Sequence, residues 1–457
     1  MPTDPSADYK QAIDYLLGRI NYERNIAVPY AERAYKLGRM RELLRRLEDP
    51  QNCFPIVHIA GTKGKGSTAE MLSRVLQAAG LRVGVYSSPH LERLEERFAV
   101  DSRPCSAEEL VALVRQLQPV VELMDRETSQ PQIDELGPTY FELTTAMALA
   151  HFQRRAVDVA ILEVGMGGRL DSTNVCMPIC SVITSISFDH TKQLGDTLAK
   201  IAAEKAGIIK PGVPVISGVD QAEPRATIAD KAHQVGAPLK QVGVDFDGGY
   251  ADGAVDFRQC FMGEWQSVDR VRLGMPGAHQ ACNAAVALAT ATFLQAYWPI
   301  PEEAMRRGLQ AARLPARIEI IRRDPTIVLD AAHNPASMAA LLAVLQAEFP
   351  DKRGTLLFAA SRDKDYRRML ELALPHFSRV VFTRYLENPR AVAPEELRQL
   401  AAGIADGDYR TVETPRQAWS EVQSALREDD LVCVTGSFFI AAELRGALLR
   451  SAEPVAG

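Results

Sequence analysis

The chain lacks any apolar run long enough to cross a membrane, because no stretch approaches about 18 uninterrupted apolar residues. Its first residues show no charged segment followed by an apolar run, so no signal peptide is predicted and a cytoplasmic location is expected. An excess of basic charge is also missing, since 52 Lys and Arg stand against 58 Asp and Glu, for a net charge of −6. We therefore expect neither a nucleic-acid nor a membrane partner.

Cysteine is scarce and scattered. Seven residues in 457 is an odd number in a long chain, which argues against a disulfide framework. Cys176 and Cys180 form a C-x3-C pair with no second pair nearby, so we predict two small buried side chains rather than a zinc site. The length exceeds what one core usually organises, so more than one domain is expected.

What the sequence does contain is a repeated alternation of strand-length apolar runs and helical segments. Strands are predicted, in the first part of the chain, at residues 54–60, 82–88, 157–164, 182–187 and 213–218. Helices are predicted between them, including one opened by a capping box of Ser106 and Glu109. This alternation predicts a mostly parallel, doubly wound sheet. Residues 243–277 are rich in Gly and Asp and suggest a few antiparallel strands as a small edge sheet.

A hinge is predicted at residues 312–317, where Pro315 disfavours helix for its predecessor. Beyond it the alternation starts afresh, with strands predicted at residues 326–330, 355–360, 379–383, 409–413 and 431–435. The predicted fold class is α/β: a P-loop-type doubly wound parallel domain over residues 1–312 and a smaller Rossmann-like domain over residues 313–457.

The sharpest motif is Gly-Thr-Lys-Gly-Lys-Gly-Ser-Thr at residues 61–68, between a predicted strand and a predicted helix. Glycines let successive backbone N–H groups point at one anion, while the helix N-terminus and Lys65 add positive charge. The motif departs from the usual nucleotide loop, because Ile59 replaces its first glycine and Gly66 is inserted before the hydroxyl residue. A flexible glycine turn with a solvated lysine is the ordinary alternative.

This loop and seven further blocks resemble the folylpolyglutamate synthase / dihydrofolate synthase family of the Mur ligase superfamily. Many members carry Asn where this chain has Lys63, a change that we do not expect to alter the reaction. The further blocks, in chain order, are YSSPHL (86–91), TYFE (139–142), LEVGMGGRLDSTN (162–174), DHT (189–191), EKAGI (204–208), LDAAHNP (329–335) and VTGSF (434–438).

The resemblance implies an ATP-dependent ligase that activates a pteroate or folate carboxylate as an acyl phosphate and joins it to L-glutamate, releasing ADP and phosphate. It implies an ATP-binding domain over residues 1–312, a glutamate-binding domain over residues 313–457, closure of the two domains during turnover, two Mg ions and a monomer. Whether dihydropteroate, a reduced folate or both accept glutamate is left open, as are the length and linkage of any polyglutamate.

The same resemblance assigns residues to each role. The nucleotide positions are Gly61, Thr62, Lys63, Gly64, Lys65, Gly66, Ser67, Asn283, Arg317 and Asp330. The metal positions are Ser88, Glu163 and His190, of which Glu163 also suits the role from sequence because it ends an apolar strand. The substrate positions are Thr139, Tyr140, Phe141, Asp171, His333 and Ser437. Lys65, Lys205 and His333 are the catalytic candidates, and Lys205 matches a lysine that is carbamylated in the superfamily.

Ordinary interpretations stand beside these assignments. From the residues alone, Lys205 is a surface lysine paired with an acidic neighbour, His190 is a hydrogen-bonded structural residue, and Tyr140 and Phe141 are core aromatics. Two rival functions also stay open. One is a ligase acting on a UDP-muramoyl peptide, and the other is a nucleotide-binding regulatory protein without turnover.

Overall fold

The computed structural model describes residues 5–21, 37–128, 137–261, 264–350, 352 and 354–452. The chain divides into two compact units. The first comprises Met1–Gly274 and Gln280–Ala312, and the second comprises Met275–His279 and Arg313–Gly457. Among the described residues, no helix has both the length and the apolarity that a membrane crossing requires.

The described helices and strands follow the predicted alternation. The α-helices are α1 (Pro5–Leu17), α2 (Leu37–Arg46), α3 (Lys65–Ala78), α4 (Ala107–Thr128), α5 (Tyr140–Arg154), α6 (Thr191–Leu194), α7 (Leu198–Lys205), α8 (Ala222–Gln234), α9 (Ala278–Leu294), α10 (Glu302–Ala311), α11 (Pro335–Glu348), α12 (Tyr366–Ala373), α13 (Pro394–Ala402), α14 (Pro415–Ser424) and α15 (Phe438–Ala452). The strands are β1 (Ile56–Ala60), β2 (Val83–Tyr86), β3 (Phe98–Val100), β4 (Arg103–Pro104), β5 (Val159–Glu163), β6 (Cys180–Ile183), β7 (Val215–Ser217), β8 (Leu239–Gln241), β9 (Phe246–Ala251), β10 (Ala254–Phe261), β11 (Glu264–Arg272), β12 (Glu319–Arg323), β13 (Thr326–Leu329), β14 (Gly354–Phe358), β15 (Phe377–Phe382), β16 (Asp408–Thr411) and β17 (Leu431–Thr435).

The first unit is built on an eight-stranded sheet with the order β4-β3-β2-β5-β1-β6-β7-β8. The six strands from β2 to β8 in this order are parallel, and β3 and β4 add an antiparallel edge that the sequence did not indicate. Every residue of β1 and β5 is buried, which is why both read as nearly continuous apolar runs. The loops after β2, β5, β1 and β6 leave one edge of the sheet from neighbouring positions, which confirms the predicted doubly wound fold class.

The predicted antiparallel strands over residues 243–277 are present as β9, β10 and β11. They form a three-stranded sheet of their own, in the order β11-β10-β9, instead of extending the edge of the large sheet. Gly248 of β9 lies against α9, where an added Cβ would stand 2.7 Å from the Cβ of Ala285. The capping box predicted for α4 is also present, with the Ser106 N–H donating to the Glu109 carboxylate at 2.8 Å.

The second unit contains a six-stranded sheet with the order β12-β13-β17-β14-β15-β16. All its neighbours pair in parallel except β12 and β13, which are antiparallel. The five strands predicted from the sequence match β13 to β17 to within two residues at each end, whereas β12 was not predicted. An apolar cluster that includes Leu356, Phe358, Val380 and Cys433 forms the core on one side of this sheet.

All seven cysteines are free thiols, in agreement with the expectation that no disulfide framework exists. Cys176 and Cys180 are both buried, as two small apolar side chains would be. Burial raises the pKa of the Cys176 thiol to about 12. Within the described ranges no group of three or more His, Cys, Asp or Glu side chains is placed to hold a metal ion.

Candidate active site

A small polar pocket lies at the carboxyl ends of β5, β1 and β6, three neighbouring strands of the large sheet. All of its residues belong to the first unit. They are Gly61, Thr62, Lys65, Val164, Gly165, Met166, Gly167, Asp189, His190 and Lys205. The structure therefore brings together the phosphate-loop candidates with one metal candidate and the predicted carbamylated lysine. It does so at the sheet edge where parallel α/β folds bind their ligands.

The phosphate loop is held in place by the segment that follows β6. Thr184 Oγ1 donates to the Lys63 carbonyl at 2.6 Å, and the Thr62 N–H donates to the Ser185 carbonyl at 2.7 Å. The Thr62 hydroxyl exchanges hydrogen bonds with the backbone of Ser187 at 3.1 and 3.2 Å. Because these residues bind the loop, the strand predicted at residues 182–187 ends at Ile183, which corrects its C-terminal boundary.

Two glycines of the loop are required by the packing around them. Gly64 has φ 84°, in the left-handed region that favours glycine, and it caps the N-terminus of α3. An added Cβ there would collide with Oδ1 of Asn283, so the predicted nucleotide contacts Gly64 and Asn283 are neighbours. A Cβ on Gly61 would collide with the Thr184 hydroxyl.

Two lysines share one backbone carbonyl in the pocket. Lys65 Nζ donates to the Gly61 oxygen at 3.1 Å, and Lys205 Nζ donates to the same oxygen at 2.9 Å. Lys205 is only 4% exposed, so its interpretation as a surface lysine is wrong. Burial, followed by the charge of Lys65, lowers the pKa of Lys205 to about 7. Much of its population is therefore a neutral amine near neutral pH, which is uncommon for lysine.

The three metal candidates follow neighbouring strands, although only one of them lines the pocket. Glu163 is the buried last residue of β5, Ser88 is half-buried after β2, and His190 is exposed after β6. His190 has φ 48°, an uncommon backbone conformation for a residue other than glycine. Its neighbour Asp189, which also lines the pocket, accepts the His190 N–H at 2.9 Å. The Glu163 carboxylate and the Ser88 hydroxyl are oxygen donors of the kind that Mg²⁺ prefers, whereas the His190 imidazole would be an unusual ligand for this ion.

Asp171, a predicted substrate contact, is fully occupied by protein donors. Its Oδ2 accepts the N–H groups of Gly165 and Met166 at 3.0 and 3.1 Å. Both of those residues line the pocket, so Asp171 holds one of its walls. Burial raises the pKa of the Asp171 carboxyl. The hydrogen bond from the Thr173 side chain opposes this rise most, followed by those from backbone N–H groups.

The predicted substrate block at residues 139–142 forms the N-terminus of α5. Thr139 is the N-cap, and it donates its N–H and its hydroxyl to the Glu142 carboxylate, each at 2.8 Å. Tyr140 is buried, and the guanidinium of Arg97 lies 5.5 Å from the centre of its ring. Phe141 is only partly buried, and its ring packs so closely on Gly165 that a Cβ there would collide with it.

The remaining candidates belong to the second unit. Asp330 follows β13, and its two oxygens accept the N–H groups of Ile318 and Ala332 at 2.8 and 2.7 Å. Arg317 is exposed, and its charge opposes the rise that burial imposes on the pKa of Asp330. Ile318, next to Arg317, has φ 47°, a strained conformation for a β-branched residue.

His333 and Ser437 follow β13 and β17, two paired strands of the smaller sheet. His333 Nδ1 lies 3.0 Å from the Ala331 carbonyl, so that nitrogen carries the proton and donates it. Ser437 is buried, and its Oγ accepts the Phe439 N–H at 3.1 Å at the start of α15. Both residues therefore stand at the carboxyl edge of this sheet.

Comparison with known proteins covers nearly the whole chain. Residues 127–291 match the Mur ligase middle domain, and residues 316–438 match the Mur ligase glutamate ligase domain. A Bacillus subtilis protein named dihydrofolate synthase/folylpolyglutamate synthase is 35% identical over 432 residues, which is 90% of this chain and 94% of the relative. The chain belongs to the folylpolyglutamate synthase / dihydrofolate synthase family. The family, fold class and ligase activity predicted from the sequence are thereby confirmed.

Solved structures of this family agree with the fold. Mycobacterium tuberculosis folylpolyglutamate synthase complexed with ADP and AMPPCP superposes with a TM-score of 0.83 at 32% identity, over 98% of this chain and 100% of that one. An Escherichia coli relative in complex with DHPP and ADP has a TM-score of 0.78 at 29% identity, over 97% and 98% of the two chains. Members of the family thus bind adenine nucleotides, and this chain is an ATP-dependent ligase of the same family.

Sequence reasoning missed several residues of this ligase's pocket. Gly165, Met166 and Gly167 form one wall of it and Asp189 lies beside them, but the sequence motifs that contain these residues indicated no role for them. Thr184 and Ser185, which anchor the phosphate loop, lie in a predicted strand that looked purely structural. A signal was available, because consecutive hydroxyl residues at the carboxyl end of a parallel strand suit contacts with a neighbouring loop.

Proposed function

We propose that this ligase phosphorylates the carboxylate of a pteroate or reduced folate in the pocket of the first unit and transfers the acyl group to the amine of L-glutamate. The observation that supports this most directly is at the phosphate loop, where Lys65 of the loop and Lys205 of α7 both donate to the Gly61 carbonyl. We propose a monomer, as the resemblance to the family implies.

The loop and Lys65 would bind the terminal phosphates of ATP. The N-terminus of α3 presents unpaired N–H groups and a partial positive charge, and Lys65 is its first residue. When phosphate arrives, the Lys65 ammonium can exchange the Gly61 carbonyl for a phosphate oxygen. That exchange stabilises the negative charge that develops as the carboxylate attacks the γ-phosphorus.

Ser88, Glu163 and His190 would hold Mg²⁺ at the same sheet edge. When bound there, the metal would supply positive charge that offsets the charge of the phosphate oxygens. Glu163 is the only carboxylate among these three candidates, so Glu163→Ala should lose the magnesium dependence together with the rate. A Glu163→Ala variant whose turnover still rises with magnesium would contradict this assignment.

Lys205 is proposed to carry a carbamate. A carbamate forms when a neutral amine attacks CO₂ and releases a proton, and the pKa of Lys205, lowered to about 7 by burial and by Lys65, supplies that neutral amine. The product would be an anion beside Lys65, which replaces a repulsion between like charges with an attraction. Mass spectrometry of gently prepared protein, and bicarbonate rescue of Lys205→Ala, test the proposal, and failure of both would count against it.

Thr139, Tyr140, Phe141 and Asp171 are proposed to bind the pterin end of the acid. Phe141 supports this best, because its partly exposed ring adjoins Gly165 of the pocket and could stack on a flat heterocycle. Both polar residues also hold other groups in position. Thr139 caps the N-terminus of α5, and Asp171 accepts the Gly165 N–H in the pocket wall.

In the second unit we propose that Arg317 and Asp330 bind the nucleotide and that His333 and Ser437 bind glutamate. His333 is also the candidate base for the amine. Because its Nδ1 donates to the Ala331 carbonyl, Nε2 is the accepting nitrogen in the neutral ring. A base that removes the proton of the attacking amine needs such a nitrogen.

The deciding experiment supplies purified protein with Mg-ATP and L-glutamate, and offers dihydropteroate and tetrahydrofolate in separate reactions. Product masses one glutamate larger are expected for at least one acid, with phosphate release that depends on both glutamate and the acid. A UDP-muramoyl acid serves as the control for the rival ligase reaction. A rate of phosphate release that does not change when any of these acids is added would refute the proposed function.

A further inference from the structure

A histidine lies in the centre of the large sheet, where an imidazole is costly to bury. His58 is the middle residue of β1, it is 0% exposed, and burial followed by the charge of Lys210 lowers its pKa to about 3. Its Nε2 lies 2.8 Å from the hydroxyl of Thr173, whereas its Nδ1 has no hydrogen-bond partner in the described part of the chain. A neutral His58 therefore depends on a single hydrogen bond to offset its burial.

The number of available protons shows which atom donates in the hydrogen bond between His58 and Thr173. Thr173 is 0% exposed, and its hydroxyl donates to Oδ1 of Asp171 at 2.5 Å, while its N–H donates to the same oxygen at 3.0 Å. A hydroxyl has one proton, and the Asp171 carboxylate receives it. His58 Nε2 must then be the donor to Thr173. The bonds run in one order, from His58 to Thr173 to Asp171.

The far end of this chain of hydrogen bonds is the wall of the phosphate pocket. Oδ2 of Asp171 accepts the N–H groups of Gly165 and Met166, and both residues line the pocket. The near end is β1, whose last residue, Ala60, leads directly into the phosphate loop. One buried series of hydrogen bonds thus joins the strand that carries the phosphate loop to the loop on the opposite side of the pocket.

We propose that His58 and Thr173 are positioning residues for the ligase reaction, which act through Asp171 to hold the backbone of Gly165 and Met166 at the distance from the phosphate loop that a nucleotide requires. The inference rests on the proposed function, because it assumes that this pocket binds the phosphates of ATP. Both side chains are 0% exposed and neither lines the pocket, so each acts through Asp171.

A merely structural histidine would behave differently. If His58 and Thr173 only filled the core, their loss would lower stability and leave the nucleotide affinity of the folded protein unchanged. A positioning role requires that affinity changes while the fold is retained, and that a substitution which restores the hydrogen bond restores affinity.

Thr173→Val and Thr173→Ser form the first matched pair. Valine keeps the shape but removes the hydroxyl, so Asp171 loses a donor and His58 loses its acceptor; serine keeps both hydrogen bonds. We expect the dissociation constant for a non-hydrolysable ATP analogue with Mg²⁺ to rise about tenfold in Thr173→Val, because binding must then restore the position of a pocket wall that the lost hydrogen bond no longer holds. Thr173→Ser should remain within about twofold, and KM for glutamate should stay unchanged in both.

His58→Leu and His58→Gln form the second pair, because glutamine can donate to Thr173 and leucine cannot. We expect His58→Gln to bind nucleotide about as wild type does and His58→Leu to bind as weakly as Thr173→Val. In the Thr173→Val background, His58→Leu should add no further loss, since the two residues act in series. Circular dichroism and a thermal melt show which variants are folded. Nucleotide affinities are then compared within a matched pair whose two members are both folded.

The outcomes distinguish a failure of the proposed function from a failure of the positioning role. Wild-type protein that binds no nucleotide would refute the proposed function itself. Wild-type protein that binds, with folded Thr173→Val and His58→Leu binding equally well, would overturn the positioning role and leave the proposed function standing. Independent, additive losses in the double variant would equally overturn it, because residues in series cannot contribute twice.

Discussion

Lys205 makes a quantitative prediction about stability, because the folded chain buries its amine. Burial and Lys65 lower its pKa from 10.5 to about 7. In the unfolded chain the amine titrates at its usual pKa, so between pH 7 and pH 10.5 the unfolded state binds more protons than the folded state. The free energy of unfolding should therefore rise with pH across this window. Below pH 7 the amine is charged in both states, so the folded state bears the full free-energy cost of burying that charge.

The magnitude follows from the two pKa values. Between pH 7 and pH 9 the unfolded amine stays protonated, whereas the folded amine goes from half to almost fully deprotonated. Integrating the proton difference gives a gain of about 2 kcal/mol over these two pH units. Lys205→Met removes this titration and keeps a straight side chain of similar size. The Gly61 carbonyl keeps a partner in the variant, because Lys65 also donates to it.

The assay is urea unfolding of the wild type and of Lys205→Met at pH 7, 8 and 9. The buffers must be free of CO₂, since a carbamate on Lys205 would remove the titrating amine. We expect the wild type to gain about 2 kcal/mol relative to the variant between pH 7 and pH 9. Lys200→Met is the control, because Lys200 lies in the same helix with its side chain 63% exposed. The free energy of unfolding of Lys200→Met should change with pH by the same amount as that of the wild type. Parallel pH profiles for wild type and Lys205→Met would refute the argument that Lys205 is buried as a largely neutral amine.

Three further predictions concern single residues of the first unit. Lys65→Ala should lower turnover by about 10²- to 10³-fold while the melting temperature stays close to that of the wild type; phosphate release and a thermal melt check both, and near-normal turnover would contradict the phosphate-loop assignment. Gly64→Ala should cost about 1–2 kcal/mol from its left-handed backbone alone, and it should also weaken ATP binding because its Cβ meets Asn283. Gly80→Ala, with φ 93° and open space around it, is the control that should lose stability but not affinity. Thr139→Ala should reduce the free energy of unfolding by about 1–2 kcal/mol through loss of the α5 cap, and urea unfolding beside Thr139→Ser, which keeps the cap, would show whether the hydroxyl is responsible.

Much of the first unit's site followed from local patterns. A glycine-rich turn between an apolar strand and a helix predicted the phosphate loop, and the structure has that turn between β1 and α3. Glu163 could be chosen as a metal candidate because it ends a buried strand, and the strand ends of one sheet share an edge. The parallel strands of the second unit were predicted to within two residues at each end. Three of them, β13, β14 and β17, are buried and read as nearly continuous apolar runs.

Three short antiparallel strands at or near sheet edges were not predicted. The sequences of β3, β4 and β12 carry no strong alternation, and their pairing depends on neighbours elsewhere in the chain. The strand predicted at residues 182–187 extends too far for a different reason, because Thr184, Ser185 and Ser187 hydrogen-bond to the phosphate loop.

The sequence by itself determined the α/β fold class, the order of its elements, the family and the place of the glycine-rich turn that we propose binds phosphate, because each of these depends on residue types at short spacing. Only the tertiary structure decided the burial of Lys205, the sharing of the Gly61 carbonyl by two lysines and the connection from His58 through Thr173 to Asp171. Residues from distant parts of the chain create these environments, and the pKa of an amine or the direction of a hydrogen bond depends on what packs around it in space.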